Sequence, residues 1–220
     1  MNKIITAIAF CIVSTLGFSQ NSDLGNWWIY FGNKKINSKF NWHHEVQYRN
    51  YNAIGDLEQL LLRTGIGYNL TEKNNNLLLG YGFIRSENYV PLVEDKAVVN
   101  EHRVYQQFIT KQSFGRVKVQ HRYRLEERWV DNQDFKLRFR YFLALNVPLN
   151  NKDMVDNTVY LSAYNELFIN HKNNLFDRNR LYGGVGYKLN SLVRFELGYM
   201  NQFFGSANRD QLNVIAFLSF

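Results

Sequence analysis

The sequence predicts an all-β protein: an antiparallel transmembrane β-barrel of ten to twelve strands, twelve favoured, with short periplasmic turns and longer outer loops. Three observations predict it. Apolar and polar residues alternate with a period of two along almost the whole chain, as a strand between two different solvents requires. The mean hydropathy is −0.37 and no apolar run reaches about 20 residues, which excludes a bundle of membrane-spanning helices. Yet 45% of residues are hydrophobic and 16% aromatic, far too much buriable surface for a disordered chain. A barrel strand, which shows lipid only every second residue, reconciles all three.

Length and punctuation narrow the class further. The 220 residues fit one domain. A single Cys excludes a disulfide scaffold, and 14 Gly with two Pro exclude a collagenous or linker-like chain. Met1 to Ser19 reads as a cleaved signal peptide: Lys3 gives the positive start, Ile4 to Val13 the apolar core, and Gly17-Phe18-Ser19 the small-x-small site. A lipid anchor on Cys11 is disfavoured by bulky Phe10 before it. Residues 20–220 are then one exported barrel domain.

Eleven alternating segments follow in order. The first, 26–33, carries Trp27 and Trp28; 38–51 places Glu45 and Arg49 on its polar parity, and 58–70 places Arg63 there. Segment 76–86 is interrupted by Gly80 and Gly82, and 100–111 sets Glu101, Arg103 and Gln107 on one face. The clearest is 115–130, where Val117, Val119, Tyr123 and Leu125 oppose Arg116, Lys118, Arg122, Arg124, Glu126 and Arg128. In 135–149, Leu137, Phe139, Tyr141, Leu143 and Leu145 oppose Lys136, Arg138 and Arg140. Then 157–170 presents Glu166, 178–189 Arg178, Arg180 and Lys188, and 192–203 Arg194, Glu196 and Gln202. The last, 210–220, alternates from Leu212 to Phe220. Bacterial single-chain barrels have even counts; a strand hidden within 85–100 would make twelve. Connections 87–99 and 204–209 read as long loops, 150–156 is long for its rim, and 131–134 is short for its rim.

A soluble barrel also alternates, but with apolar side chains inward. Here the polar parity holds closely spaced Arg with Glu and Gln, which suits a hydrogen-bonded interior. The apolar parity is nearly free of charge over a crossing length. Aromatics near segment ends (Trp27, Trp28, Tyr51, Tyr89, Trp129, Phe135, Phe203) suit an interfacial girdle. Phe220, preceded by alternate apolar residues, resembles the C-terminal signal read by the outer-membrane assembly machinery. The expected setting is a bacterial outer membrane, as a monomer in contact with lipid.

The polar parity sums to a cation-rich lumen, in keeping with a net charge of +7. Two uses follow. Focused positive potential recruits anions, giving a narrow anion-preferring pore or a site for a small anion or lipid phosphate. Alternatively, Arg forks bridge Glu, Gln and carbonyls across strands and fill the barrel. Catalysis is not expected: no Ser stands where it would pair with His43, His44, His102, His121 or His171, so an envelope-lipid lipase or acyltransferase is the alternative. No metal or cofactor is expected. Gly65-Ile66-Gly67, Gly80-Tyr81-Gly82 and Gly183-Gly184-Val185-Gly186 lie inside strand patterns with no following helix, which removes a phosphate-loop reading. Cations alternating along strands also argue against nucleic acid.

One family resemblance spans these segments. Glu45-Val46-Gln47-Tyr48-Arg49-Asn50, Arg63-Thr64-Gly65-Ile66-Gly67-Tyr68, Leu79-Gly80-Tyr81 and Arg103-Val104-Tyr105-Gln106-Gln107 occur in order. Arg122-Tyr123-Arg124-Leu125-Glu126-Glu127-Arg128, Asn165-Glu166-Leu167-Phe168, Asn179-Arg180-Leu181-Tyr182-Gly183-Gly184 and Gly198-Tyr199-Met200-Asn201-Gln202 follow. The set resembles the uncharacterised outer-membrane-barrel family catalogued as domain of unknown function 2490. That resemblance implies the fold and the envelope location, and brings no substrate or catalytic residue.

Overall fold

Each segment of period two becomes a strand, and the strands close into a barrel. The structure is a computed structural model that describes residues 24–220 apart from 73, 94, 173 and 206; the expected signal peptide lies outside the described residues. The strands are β1 (Gly25–Lys35), β2 (Phe40–Asn50), β3 (Leu57–Asn69), β4 (Asn75–Tyr89), β5 (Lys96–Phe114) and β6 (Val117–Val130). They continue as β7 (Lys136–Pro148), β8 (Thr158–Asn170), β9 (Phe176–Lys188), β10 (Val193–Phe204) and β11 (Ala207–Ser219). Sequential neighbours pair antiparallel, and closure removes every free edge.

The closing seam departs from the favoured twelve. β1 pairs with β11 in parallel, from Gly25 opposite Gln211 to Asn33 opposite Ser219, so the described chain closes with an odd count. No strand is hidden in 85–100. That stretch instead lengthens β4 and β5 until Tyr89 pairs with Lys96. Beyond the apolar band both strand faces meet the same medium, so Ser86–Tyr89 and Lys96–Asn100 lose alternation while their backbones stay paired. The 204–209 loop similarly shrinks until Phe204 pairs with Ala207, and Gly205 after β10 has a φ of 71°, which favours glycine.

Two rims result. One, the turn rim, gathers connections 36–39, 70–74, 115–116, 149–157 and 189–192, together with Phe220. The other, the loop rim, gathers 51–56, 90–95, 131–135, 171–175 and 205–206. The outward face is chiefly apolar, with Leu62, Ile66, Leu79, Leu181, Val185 and Leu197 exposed. Its polar members bond to one another: Tyr81 Oη with His102 Nδ1 at 2.6 Å, His121 Nδ1 with Tyr141 Oη at 2.8 Å, and Asn165 Nδ2 to Asn179 Oδ1 at 2.7 Å. Pairing in this way spares an uncompensated polar group on an apolar surface.

Inward parity carries both charge and bulk. Trp27, expected in the girdle, instead points into the lumen at 3% exposure, whereas Trp28 faces outward. Its indole packs with Ile29, Tyr182, Met200 and Ile215 beside the parallel seam. Glycines make the room: a Cβ on Gly198 would lie 2.5 Å from the Tyr182 ring, and Gly80 faces Tyr105 in the same way. Gly183, by contrast, has open space around it. We therefore expect Gly198→Ala to cost about 1–3 kcal/mol in denaturant unfolding, because the ring has no room to yield. Gly183→Ala should stay within about 0.5 kcal/mol.

Candidate functional site

The strand register stacks charged residues of alternate sign on one wall. Arg103 lies opposite Arg128, Tyr105 opposite Glu126, and Gln107 opposite Arg124. Next door, Glu126 lies opposite Arg138 and Arg124 opposite Arg140, and Phe142 faces Glu166. Since successive inward residues sit on one face, these short runs place the charge of four strands in one volume.

Glu126 is the centre of that volume, with no exposed surface. Arg140 Nη1 lies 2.6 Å and Arg138 Nη2 2.7 Å from its carboxylate, with Arg124 Nη1 at 3.6 Å and Arg103 Nη1 at 4.0 Å. Arg140 also donates to Glu166 at 2.6 Å, where Arg122 joins at 2.6 Å and Arg180 at 3.6 Å. Glu101 receives Arg103 and Arg128, each at 2.5 Å. Glu45 receives Arg63 at 2.6 Å and His43 at 3.4 Å. A third kind of carboxylate, Glu196, accepts from Tyr160 Oη at 2.9 Å and Ser162 Oγ at 3.1 Å, with Arg194 at 3.9 Å.

Aromatic faces hold the remaining cation surface. Phe168, fully buried, lies under Arg140 at 4.4 Å and Arg180 at 4.7 Å, with Arg138 at 5.2 Å and Arg178 at 5.8 Å. Arg124 lies over Tyr105 at 4.4 Å and Arg122 over Phe142 at 4.3 Å. Desolvated cation–π contacts of this kind contribute about 2 kcal/mol each. At this level guanidinium, carboxylate, amide and ring groups from neighbouring strands lie against one another, most of them buried.

The long turn-rim connection 149–157 reaches the same end. Arg116 Nη2 donates to the carbonyls of Pro148, Leu149 and Asn151 at 2.8–2.9 Å. From inward positions on two different strands, Lys118 binds Asp153 at 2.8 Å and Lys188 binds the Met154 carbonyl at 2.7 Å. Cations from β6 and β9, the strands flanking β7 and β8, thus hold this strap from both sides. Lys118 holds the exposed Asp153 carboxyl below its usual range. That clasp therefore persists above roughly pH 4 and is lost as pH falls through the lowered value.

Every lumen residue named from the sequence sits inward: Glu45, Arg49, Arg63, Arg103, Gln107, Arg122, Arg124, Glu126, Arg128, Arg138, Arg140, Glu166, Arg178, Arg180, Arg194, Glu196 and Gln202. They do not form one cluster. Glu196 and Arg194 belong with the tyrosines near the turn rim, and Arg116, Lys118, Lys136 and Lys188 stand at the rims. Sequence reasoning missed Trp27, Phe168, Tyr160, Gln47, Gln59, Gln211 and Asp177. Asp177 follows Phe176 at the start of β9 and binds Arg138 at 2.8 Å. Parity identifies Gln47 and Gln59, since both share a face with Arg49 or Arg63; aromatic residues give no such signal.

Comparison with known proteins decides the kinship. The profile of a family described as proteins of unknown function, DUF2490, matches residues 24–213. The chain belongs to the DUF2490 family. An uncharacterized protein of Methylorubrum extorquens is 31% identical over 166 residues, spanning 72% of this chain and 69% of that relative. The matched region runs from the start of β1 into β11 and takes in the whole arginine–carboxylate network.

Glu126→Gln tests how much this DUF2490 barrel depends on its central charge. It keeps the shape and removes the anion around which four guanidinium groups gather, so we expect a loss of about 3–5 kcal/mol by equilibrium unfolding. Glu127→Gln, one residue away on the outward face, should be near neutral by comparison.

Proposed function

We propose that the chain is a non-enzymatic outer-membrane barrel whose lumen is filled and does not conduct. One observation carries this reading: Glu126, Arg124, Arg138, Arg140 and Glu166 lie inward on adjacent strands, and none is more than 4% exposed. An open channel at that level would hydrate them. Arg–carboxylate forks are geometrically specific and strong, and breaking them strands charge in a dry interior, so ions have no low-cost path.

Such a barrel acts as a rigid anchor: its outward face meets lipid, its arginine-rich core braces the wall, and its loop rim is held out for contact. Phe220 sits at the end of β11, facing the turn rim with His44 at 6.4 Å between ring centroids, which suits capture of the last strand by the assembly machinery. The partners implied are outer-membrane lipid and that machinery.

Two measurements test the reading. Purified protein in planar bilayers should give no steady current; an anion-selective current would overturn the filled lumen. In lipid vesicles, Leu143→Arg on the outward face of β7 should cost about 2–4 kcal/mol, as a cation at the bilayer midplane does. Equal tolerance at Leu143 and at inward-facing Ala144 would remove the membrane setting.

A further inference from the structure

The central arginines have carboxylates; one arginine nearer the loop rim does not. Arg49 is 7% exposed, yet no carboxylate lies within ion-pair distance among the described residues. Its fork is met by amide oxygens instead. Nε donates to Gln47 Oε1 at 3.0 Å, Nη2 to the same atom at 2.5 Å, and Nη1 to Gln59 Oε1 at 2.6 Å. Arg180, across the seam, meets Gln202 Oε1 at 2.8 Å and reaches Glu166 only at 3.6 Å. Both guanidinium groups lie over the same indole, Arg49 at 3.7 Å and Arg180 at 4.9 Å from the centre of Trp27.

Burying a cation against amides alone is costly, and two cations over one ring add repulsion. The indole deepens the imbalance. Trp27 Nε1 is buried and has no acceptor among the described residues, so a third donor stands unused at the same place. Two guanidinium forks and a free N–H in a dry setting are donors in search of an acceptor with negative charge. From these we infer that Trp27, Arg49 and Arg180 form a binding site for a small oxyanion group, a phosphate or its equivalent, entered from the loop rim.

Position makes entry feasible. Arg49 is one residue from the end of β2 and Trp27 two residues inside the start of β1, roughly 7 Å beneath the rim at the strand rise. Above them the ion pair of Arg209 with Glu58 at 2.6 Å joins β11 to β3, and both side chains are part-exposed. It forms a bar nearer the rim than the site. The arginine fork matches a planar pair of oxygens, which would take the place of the Gln47 and Gln59 amide oxygens while Glu45 and Ser86 keep hold of the amide nitrogens. Through Arg180 and Glu166 the site adjoins the Glu126 network at one edge, and it needs no conduction.

The test uses the full barrel in micelles of a phosphate-free detergent, with Trp28→Phe, Trp42→Phe and Trp129→Phe leaving Trp27 as the sole indole. Inorganic phosphate at constant ionic strength, balanced with chloride, should change Trp27 emission saturably. Arg49→Gln should weaken that response at least tenfold. Gln59→Glu places a carboxylate where the amide oxygen now meets Arg49; it should raise the melting temperature and abolish the phosphate response in a folded protein. Dihexanoyl phosphatidate, in a parallel titration, separates the sources: saturation by it alone assigns a lipid headgroup, and saturation by phosphate assigns a free anion. No saturable response to either probe overturns the site. So does a response that survives Arg49→Gln or Gln59→Glu. These outcomes are read in micelles and leave the conductance result independent.

Discussion

Everything inside this barrel answers to one constraint: cations placed in a narrow lumen must be neutralised or solvated by the protein itself. Glu126 shows the solution most fully, with four guanidinium groups gathered around one buried carboxylate. Register alone makes this feasible, because β5, β6 and β7 each bring inward charge to the same level. Where acid runs short, rings and amides substitute, as Phe168 and the glutamines do. A network of this kind adds little net stability over an apolar core, since desolvation offsets attraction. Its value is geometric. Each fork demands a particular neighbour, and a slip of one residue would turn the whole set onto the apolar outer face.

Glycine and aromatic residues supply the space that this demands. Tyr105, Tyr160 and Tyr182 lie over Gly80, Gly186 and Gly198 on the neighbouring strands. Small and large residues thus interlock from strand to strand along the inner face of the wall. The strap held at the turn rim and the Arg209–Glu58 pair near the loop rim lie at the two ends of the barrel.

How much of this was legible depends on what a residue's chemistry says about its surroundings. A charged residue in an alternating strand declares its face, because it is set apart from the apolar parity beside it; hence Arg124, Glu126 and Arg140 could be placed from parity. Aromatic residues declare nothing, since Trp27 suits a lipid headgroup and an arginine-lined lumen equally well. Strand direction leaves no mark either. The parallel β1–β11 seam preserves the same alternation as an antiparallel one, so only the count of segments hinted at it. Extensions such as Ser86–Tyr89 were hidden because alternation ends where the two media become one. The strap was visible only as a connection of unexpected length, and its hold by Lys118 and Lys188 arises from closure, which brings β6 and β9 to one mouth.

The parallel seam has a topological consequence. β1 begins at the loop rim and β11 ends at the turn rim, so the described barrel has its two ends on opposite mouths. In an even-stranded barrel the ends are neighbours, and a short peptide can join them to give a rearranged chain with new termini. Here the same splice would have to run the full length of the wall or through the packed interior. The gene order of these strands is therefore held in place by geometry: no rotation of the sequence around the ring is open to it without a linker as long as the barrel is tall.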